Sequence, residues 1–192
     1  MIGGWSGDAA RSVEFWSPGV TCRLPDFSRD MYNGPSVSFI QDTIVACYYD
    51  SCDKLQEGAW LKMADMRHVR GGHTGEVIND SVLLIGGIDS PTMTELVTVS
   101  GQSVEGFSLD PGRKSHCSLK ISDRSVVVIG GVGTESQVTE YMGLQEEVTS
   151  RELPDLLTGR WYHACGQYMD GEIQVMPAMV PHWSLHSLSL HR

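Results

Sequence analysis

Ser81-Val-Leu-Leu-Ile-Gly-Gly87 returns 44 residues later as Ser125-Val-Val-Val-Ile-Gly-Gly131. Each is a short, continuous apolar run closed by two glycines, the pattern of a strand buried on both faces that ends in a tight turn. The register extends outward from these two. Gly3-Gly4 opens the chain in the place of the glycine pair, and Ile44-Val45-Ala46-Cys47 fills the place of the apolar run with the pair replaced. Self-similarity at a period of this size marks a stack of repeated units, and it takes precedence over local readings.

Other residues keep the same step. Arg70-Gly-Gly-His73, Arg113-Lys-Ser-His116 and Arg160-Trp-Tyr-His163 repeat an Arg-x-x-His spacing ahead of the apolar run. Behind it, Ser12-Val-Glu14, Thr94-Glu95 and Thr139-Glu140 each place a glutamate in a short β-prone segment, and Leu24-Pro25-Asp26 and Leu153-Pro154-Asp155 lead into the next unit. Each period therefore predicts four strands: one entered at the histidine, one apolar and ending in glycine, one alternating with glutamate, and a short last one before a turn. No helical period is long enough to cover a parallel sheet. The expected class is all-β, with the units stacked radially as propeller blades, an arrangement that limits exposed sheet edges.

Composition agrees. The chain has 192 residues, 41% hydrophobic and 20% charged, which suits one globular domain. Its 21 glycines against 4 phenylalanines suit many short strands joined by tight turns. A formal net charge of −10 opposes binding to a phosphate backbone, so neither nucleic acid nor an anionic membrane is expected as a partner. No stretch approaches the roughly 20 apolar residues that span a bilayer, and residues 1–5 lack the basic and apolar regions of a signal peptide. The compartment stays open.

The five cysteines are odd in number and form no tandem Cys-x-x-Cys pairs, so no metal or cofactor is expected. Cys47 and Cys52 flank a predicted hairpin loop, where a disulfide or two buried thiols would fit equally well.

The glycine pairs, the glutamate strand, tryptophans such as Trp16 or Trp60 and the Leu-Pro entry together resemble the Kelch repeat family over about residues 1–176. The Trp-Asp dipeptide of another propeller class does not occur in the chain. The resemblance implies an incomplete Kelch-type propeller: a partial blade over about 1–32, fuller blades over 33–71, 72–114 and 115–160, and a partial blade over 161–176. Departures are Cys47 in place of a glycine pair, missing tryptophans in the third and fourth units, and Pro177-Ala-Met-Val-Pro181 where the next pair belongs. Residues 177–192 read as an irregular tail.

Residues that look catalytic recur once per unit, so a structural role comes first. This covers His73, His116 and His163, the arginines beside them with Glu95 and Glu140, and Gly86, Gly87, Gly130 and Gly131. No helix follows the glycines to make them a phosphate cradle. The resemblance further implies a non-catalytic module that binds a protein or peptide through loops on one face, at 4–11, 48–52, 87–93 and 131–137, joined by 25–34, 63–72, 109–115 and 153–160. Trp5, Tyr48, Tyr49, Arg67, His68, Arg113 and Trp161 are the candidate contact residues, because aromatic and arginine side chains dominate interface energetics. Open blade edges also allow self-association. Two other readings stand beside this one: a fragment of a copper-radical oxidase, suggested by the cluster of Cys47, Tyr48, Tyr49 and Cys52, and a truncated product with no function of its own.

Overall fold

The computed structural model describes residues 11–27, 34–144, 147–167, 172–176 and 186–188. Five antiparallel sheets follow one another along them. The first is a ribbon of β1 (Val13–Ser17) and β2 (Val20–Leu24), and the second holds β3 (Ser36–Ile40), β4 (Thr43–Gln56) and β5 (Ala59–Arg70). Two four-stranded sheets come next: β6 (Thr74–Ile78), β7 (Ser81–Ile85), β8 (Met93–Thr98) and β9 (Ser103–Ser108), then β10 (Cys117–Ser122), β11 (Ser125–Ile129), β12 (Val138–Met142) and β13 (Thr149–Leu153). The last holds β14 (Ala164–Gln167), β15 (Ile173–Met176) and β16 (His186–Leu188). In every sheet, strands that follow each other in sequence are neighbours.

The second sheet also contains four runs of chain. The Cα atoms of Cys47 and Cys52 are 4.0 Å apart, whereas five extended residues would span about 16 Å. Thr43 Oγ1 also donates to the Leu55 carbonyl at 2.7 Å. β4 therefore doubles back over residues 48–51, with Tyr49 in the left-handed region at φ 53°. Its two halves take the places of β7 and β8, and the 63–70 segment, expected to be loop, is the end of strand β5.

Continuous apolar strands are explained by where their two faces go. Val82 and Leu84 of β7 join a core with Val45, Cys47 and Met66 of the preceding sheet, while Leu83 and Ile85 join one with Val126 and Val128 of the following sheet. β11 repeats this division, since Val127 and Ile129 turn toward Ile173 and Val175. In β4, Ala46 and Tyr48 turn back toward Val13 and Phe27. Alternate residues of a strand point to opposite faces, so a strand sandwiched between two sheets is apolar throughout. Each fully buried Val, Leu or Ile contributes about 1.5–3 kcal/mol, and these layers between sheets are the core.

The first strands β3, β6, β10 and β14 pack against one another in succession, so they line the inside of the stack. The region expected to be an irregular tail needs one correction: residues 186–188 pair with β15 as a third strand of the last sheet. Backbone pairing along an open strand edge requires no hydrophobic pattern, which is why His186-Ser-Leu188 gave no strand signal.

Candidate functional site

The entry to each inner strand is a repeated backbone device. Gly34, Gly72, Ser115 and Tyr162 all adopt positive φ, between 51° and 69°. The Ser115 amide donates to the Gly72 carbonyl at 2.8 Å, and the Tyr162 amide donates to the Ser115 carbonyl at 2.8 Å. One residue later come His73, His116 and His163, all buried. His73 Nε2 shares a hydrogen bond with Ser36 Oγ (3.2 Å) and His116 Nε2 with Thr74 Oγ1 (2.9 Å), each partner being the first residue of the preceding inner strand. Burial is the main cause that pulls the imidazoles to about 4, 3 and 4, aided by Arg70, Arg113 and Arg160 respectively. They are neutral at neutral pH, and the hydrogen bonds of His73 and His116 join one sheet to the next.

The arginines act in the same way. Arg70 donates to the carbonyls of Gly86 (2.8 Å) and Met93 (2.7 Å) and to the Glu95 carboxylate (3.2 Å) in the next sheet. Glu95, fully buried, also accepts from the Arg67 amide at 2.6 Å and from the Ser103 hydroxyl. Arg113 repeats the pattern on Gly130 (3.0 Å), Gln137 (3.0 Å) and Thr139 Oγ1 (2.7 Å). Arg113 therefore has no exposed atoms to give to a partner, contrary to expectation.

Thr139, not Glu140, is the equivalent of Glu95. Glu95 lies opposite Leu84, two residues before its glycine pair, and Thr139 lies opposite Val128, two before its own. The matching Thr-Glu dipeptides are thus one residue out of register, which in a strand means opposite faces. Glu140 pairs instead with Arg151 of β13 at 2.5 Å, near the surface.

The glycine pairs sit where side chains cannot. A Cβ on Gly86 would lie 2.2 Å from the Arg113 carbonyl oxygen, and on Gly130 2.6 Å from that of Arg160. Cβ atoms on Gly87 and Gly131 would each meet the Cβ of the histidine beside them, His73 at 3.3 Å and His116 at 3.0 Å. All four have positive φ.

In the second, third and fourth sheets the antiparallel order brings the loop between the second and third runs of chain, and the connection to the next sheet, to one end of the stack. Hydrogen bonds tie them together there: the Ile88 amide to the Gly71 carbonyl (2.7 Å) and the Val132 amide to the Lys114 carbonyl (3.0 Å). Tyr49, Trp161 and Tyr162 stand about half exposed at this end (54, 50 and 55%), with Trp161 and Tyr162 in ring contact at 5.2 Å between centroids. Ile88, Val132 and Leu157 add exposed apolar surface, and Asp89, Glu135 and Asp155 are exposed among them. Sequence reading missed Ile88, Val132, Leu157 and Tyr162 because a single exposed side chain leaves no periodic trace. Arg67 is exposed and His68 half-buried, both on β5 and not on a loop. Tyr48 is buried and donates its hydroxyl to Asp53 at 2.5 Å. Trp5 lies outside the described residues.

Cys47 is bonded to Cys52 and, unforeseen from spacing, Cys117 to Cys165. Among the described residues no group of three or more His, Cys, Asp or Glu could hold a metal ion, and no helix is long and apolar enough to cross a membrane.

No family model and no curated protein matches the sequence. Among solved structures, that of YjhT, a Kelch-repeat β-propeller protein, superposes with a TM-score of 0.75 over 90% of this chain and 67% of that one. The chain has the Kelch-repeat β-propeller fold. The five sheets are its blades, β3, β6, β10 and β14 its inner strands, and the chain amounts to part of such a propeller. At 12% identity the likeness concerns the Kelch fold alone.

Proposed function

We propose that this Kelch-type array is a non-catalytic module that binds a protein or peptide through the loop end of its blades. The observation that carries the reading is a division of labour. The periodic His, Arg and Gly residues are spent on joining blades, while Tyr49, Ile88, Val132, Leu157, Trp161 and Tyr162 stand exposed on loops and connections at one end. Exposed apolar and aromatic groups gathered on one face are the usual mark of an interaction site. Asp89, Glu135 and Asp155 beside them favour a partner segment that is apolar with basic flanks.

An oxidase reading draws less support, since Cys47 is bonded to Cys52 and Tyr48 is buried against Asp53. The test is affinity capture with the W161A/Y162A double variant against a control, L61A/V104A, whose exposed side chains lie on β5 and β9. The expected outcome is a partner whose affinity falls at least about 30-fold in the loop variant and is unchanged in the control. Equal retention by both variants, or substrate turnover by the purified chain, would overturn the proposal.

A further inference from the structure

The junction between the last two blades departs from the ones before it. Ser36 and Thr74, the first residues of β3 and β6, offer hydroxyls to His73 and His116 of the following blade. The first residue of β10 is Cys117, and the histidine that follows it is His163. The register therefore puts a sulfur where the two earlier junctions have an oxygen. That sulfur is bonded to Cys165 of β14, and buried His163, which keeps a backbone contact with Ile129, has no side-chain hydrogen-bond partner of the Ser36–His73 kind. The oxidised junction therefore has a covalent tie in place of the hydroxyl–imidazole bond found at the two junctions before it.

We propose that Cys117–Cys165 is a reversible thiol–disulfide site at which two fastenings alternate: a covalent one between β10 and β14 when oxidised, and a Cys117 thiol–His163 hydrogen bond, the sulfur counterpart of Ser36–His73 and Thr74–His116, when reduced by a thiol or dithiol. Cys165 is partly exposed and Cys117 is 8% exposed, so the incoming thiolate attacks Cys165 Sγ. The S–S bond breaks, a mixed disulfide forms on Cys165, and Cys117 leaves as a thiolate beside His163. An imidazole N–H there stabilises the leaving group, which speeds the exchange. A second thiol releases Cys165 and forms the external disulfide. Two electrons and two protons pass to the protein, ending as two thiols. The last blade is where a second fastening matters most, since β14 and β15 are four residues each and β16 three.

The experiment uses the full chain, oxidised, with reduced glutathione as probe, peptide mapping by mass spectrometry, and 15N-detected NMR of the His163 ring. With limiting glutathione the adduct is expected on Cys165 in excess of about ten-fold over Cys117. Full reduction should give His163 the ring-nitrogen signature of a hydrogen-bonded imidazole, like that of His116. C117S should give the same signature without any reductant, which keeps the test independent of whether the reduced chain stays folded. Glutathione spread evenly over the two cysteines, free Cys117 and Cys165 in the oxidised protein, or a His163 spectrum unmoved by C117S would each overturn the proposal.

Discussion

His73, His116 and His163 hold one position in three successive blades, and their surroundings set a pH limit on the fold. Unfolded, each imidazole takes its proton near 6.5. Folded, burial beside Arg70, Arg113 and Arg160 holds them neutral down to about 4, 3 and 4. Between these values the unfolded chain binds more protons, so stability is complete above pH 6.5 and falls as pH drops toward 4. The slope is about 1.4 kcal/mol per pH unit for each fully buried histidine. Urea unfolding at pH 7, 6 and 5 should show this loss, with a shallower dependence in H116Q than in the parent chain. The glycines give a second expectation. G86A would drive a Cβ onto the Arg113 carbonyl at positive φ and should cost about 2–4 kcal/mol. G133A, also at positive φ but with no atom within 4 Å of a Cβ, should cost about 1 kcal/mol in the same thermal melts. The recurrence of these residues was readable from sequence because a repeated environment selects a repeated residue. Their partners were not, since Ser36 and Thr74 are different residue types doing one job.

Elements carry their register less openly than their existence. The runs at 81–85 and 125–129 announced buried strands, and both became the strands shared between two cores. The Thr-Glu dipeptides misled, because one residue of slip in a strand leaves the letters alike and reverses the face. Hence Arg113 meets Thr139 where Arg70 meets Glu95. The two blade junctions should respond differently to truncation. R70M strands the buried Glu95 carboxylate and should cost about 3–5 kcal/mol, whereas R70M/E95L, which removes both charges, should recover most of that loss. R113M leaves only carbonyls and a hydroxyl without their donor and should cost less than R70M. Chemical denaturation of the four chains checks the order. The doubled-back β4 was legible only as a pair of cysteines five residues apart, a spacing that fits a disulfide across a hairpin as well as two separate thiols.

For the whole molecule, the repeat fixed the class of fold, while the loop end proposed for binding had to be seen in three dimensions. Tyr49, Ile88, Val132 and the Trp161-Tyr162 pair are far apart in sequence, and only the antiparallel order of the blades gathers them at one end. Arg113 and Tyr48 fit the same expectation by residue type and are buried, because type alone does not tell an anchor for a partner from an anchor for the next blade. Asp89, Glu135 and Asp155 flank the exposed apolar groups, so association with a basic partner segment should slow as salt rises from 50 to 500 mM, a range over which the Debye length falls below roughly 5 Å. Stopped-flow or surface-based association rates would show it. The most direct test of the binding role is a hydrogen-exchange footprint of the chain with and without its captured partner. Protection confined to residues 48–51, 87–92, 131–137 and 156–162 is the predicted result. Protection at the opposite turns, 79–80, 99–102 and 123–124, with none at the loop end, would contradict it.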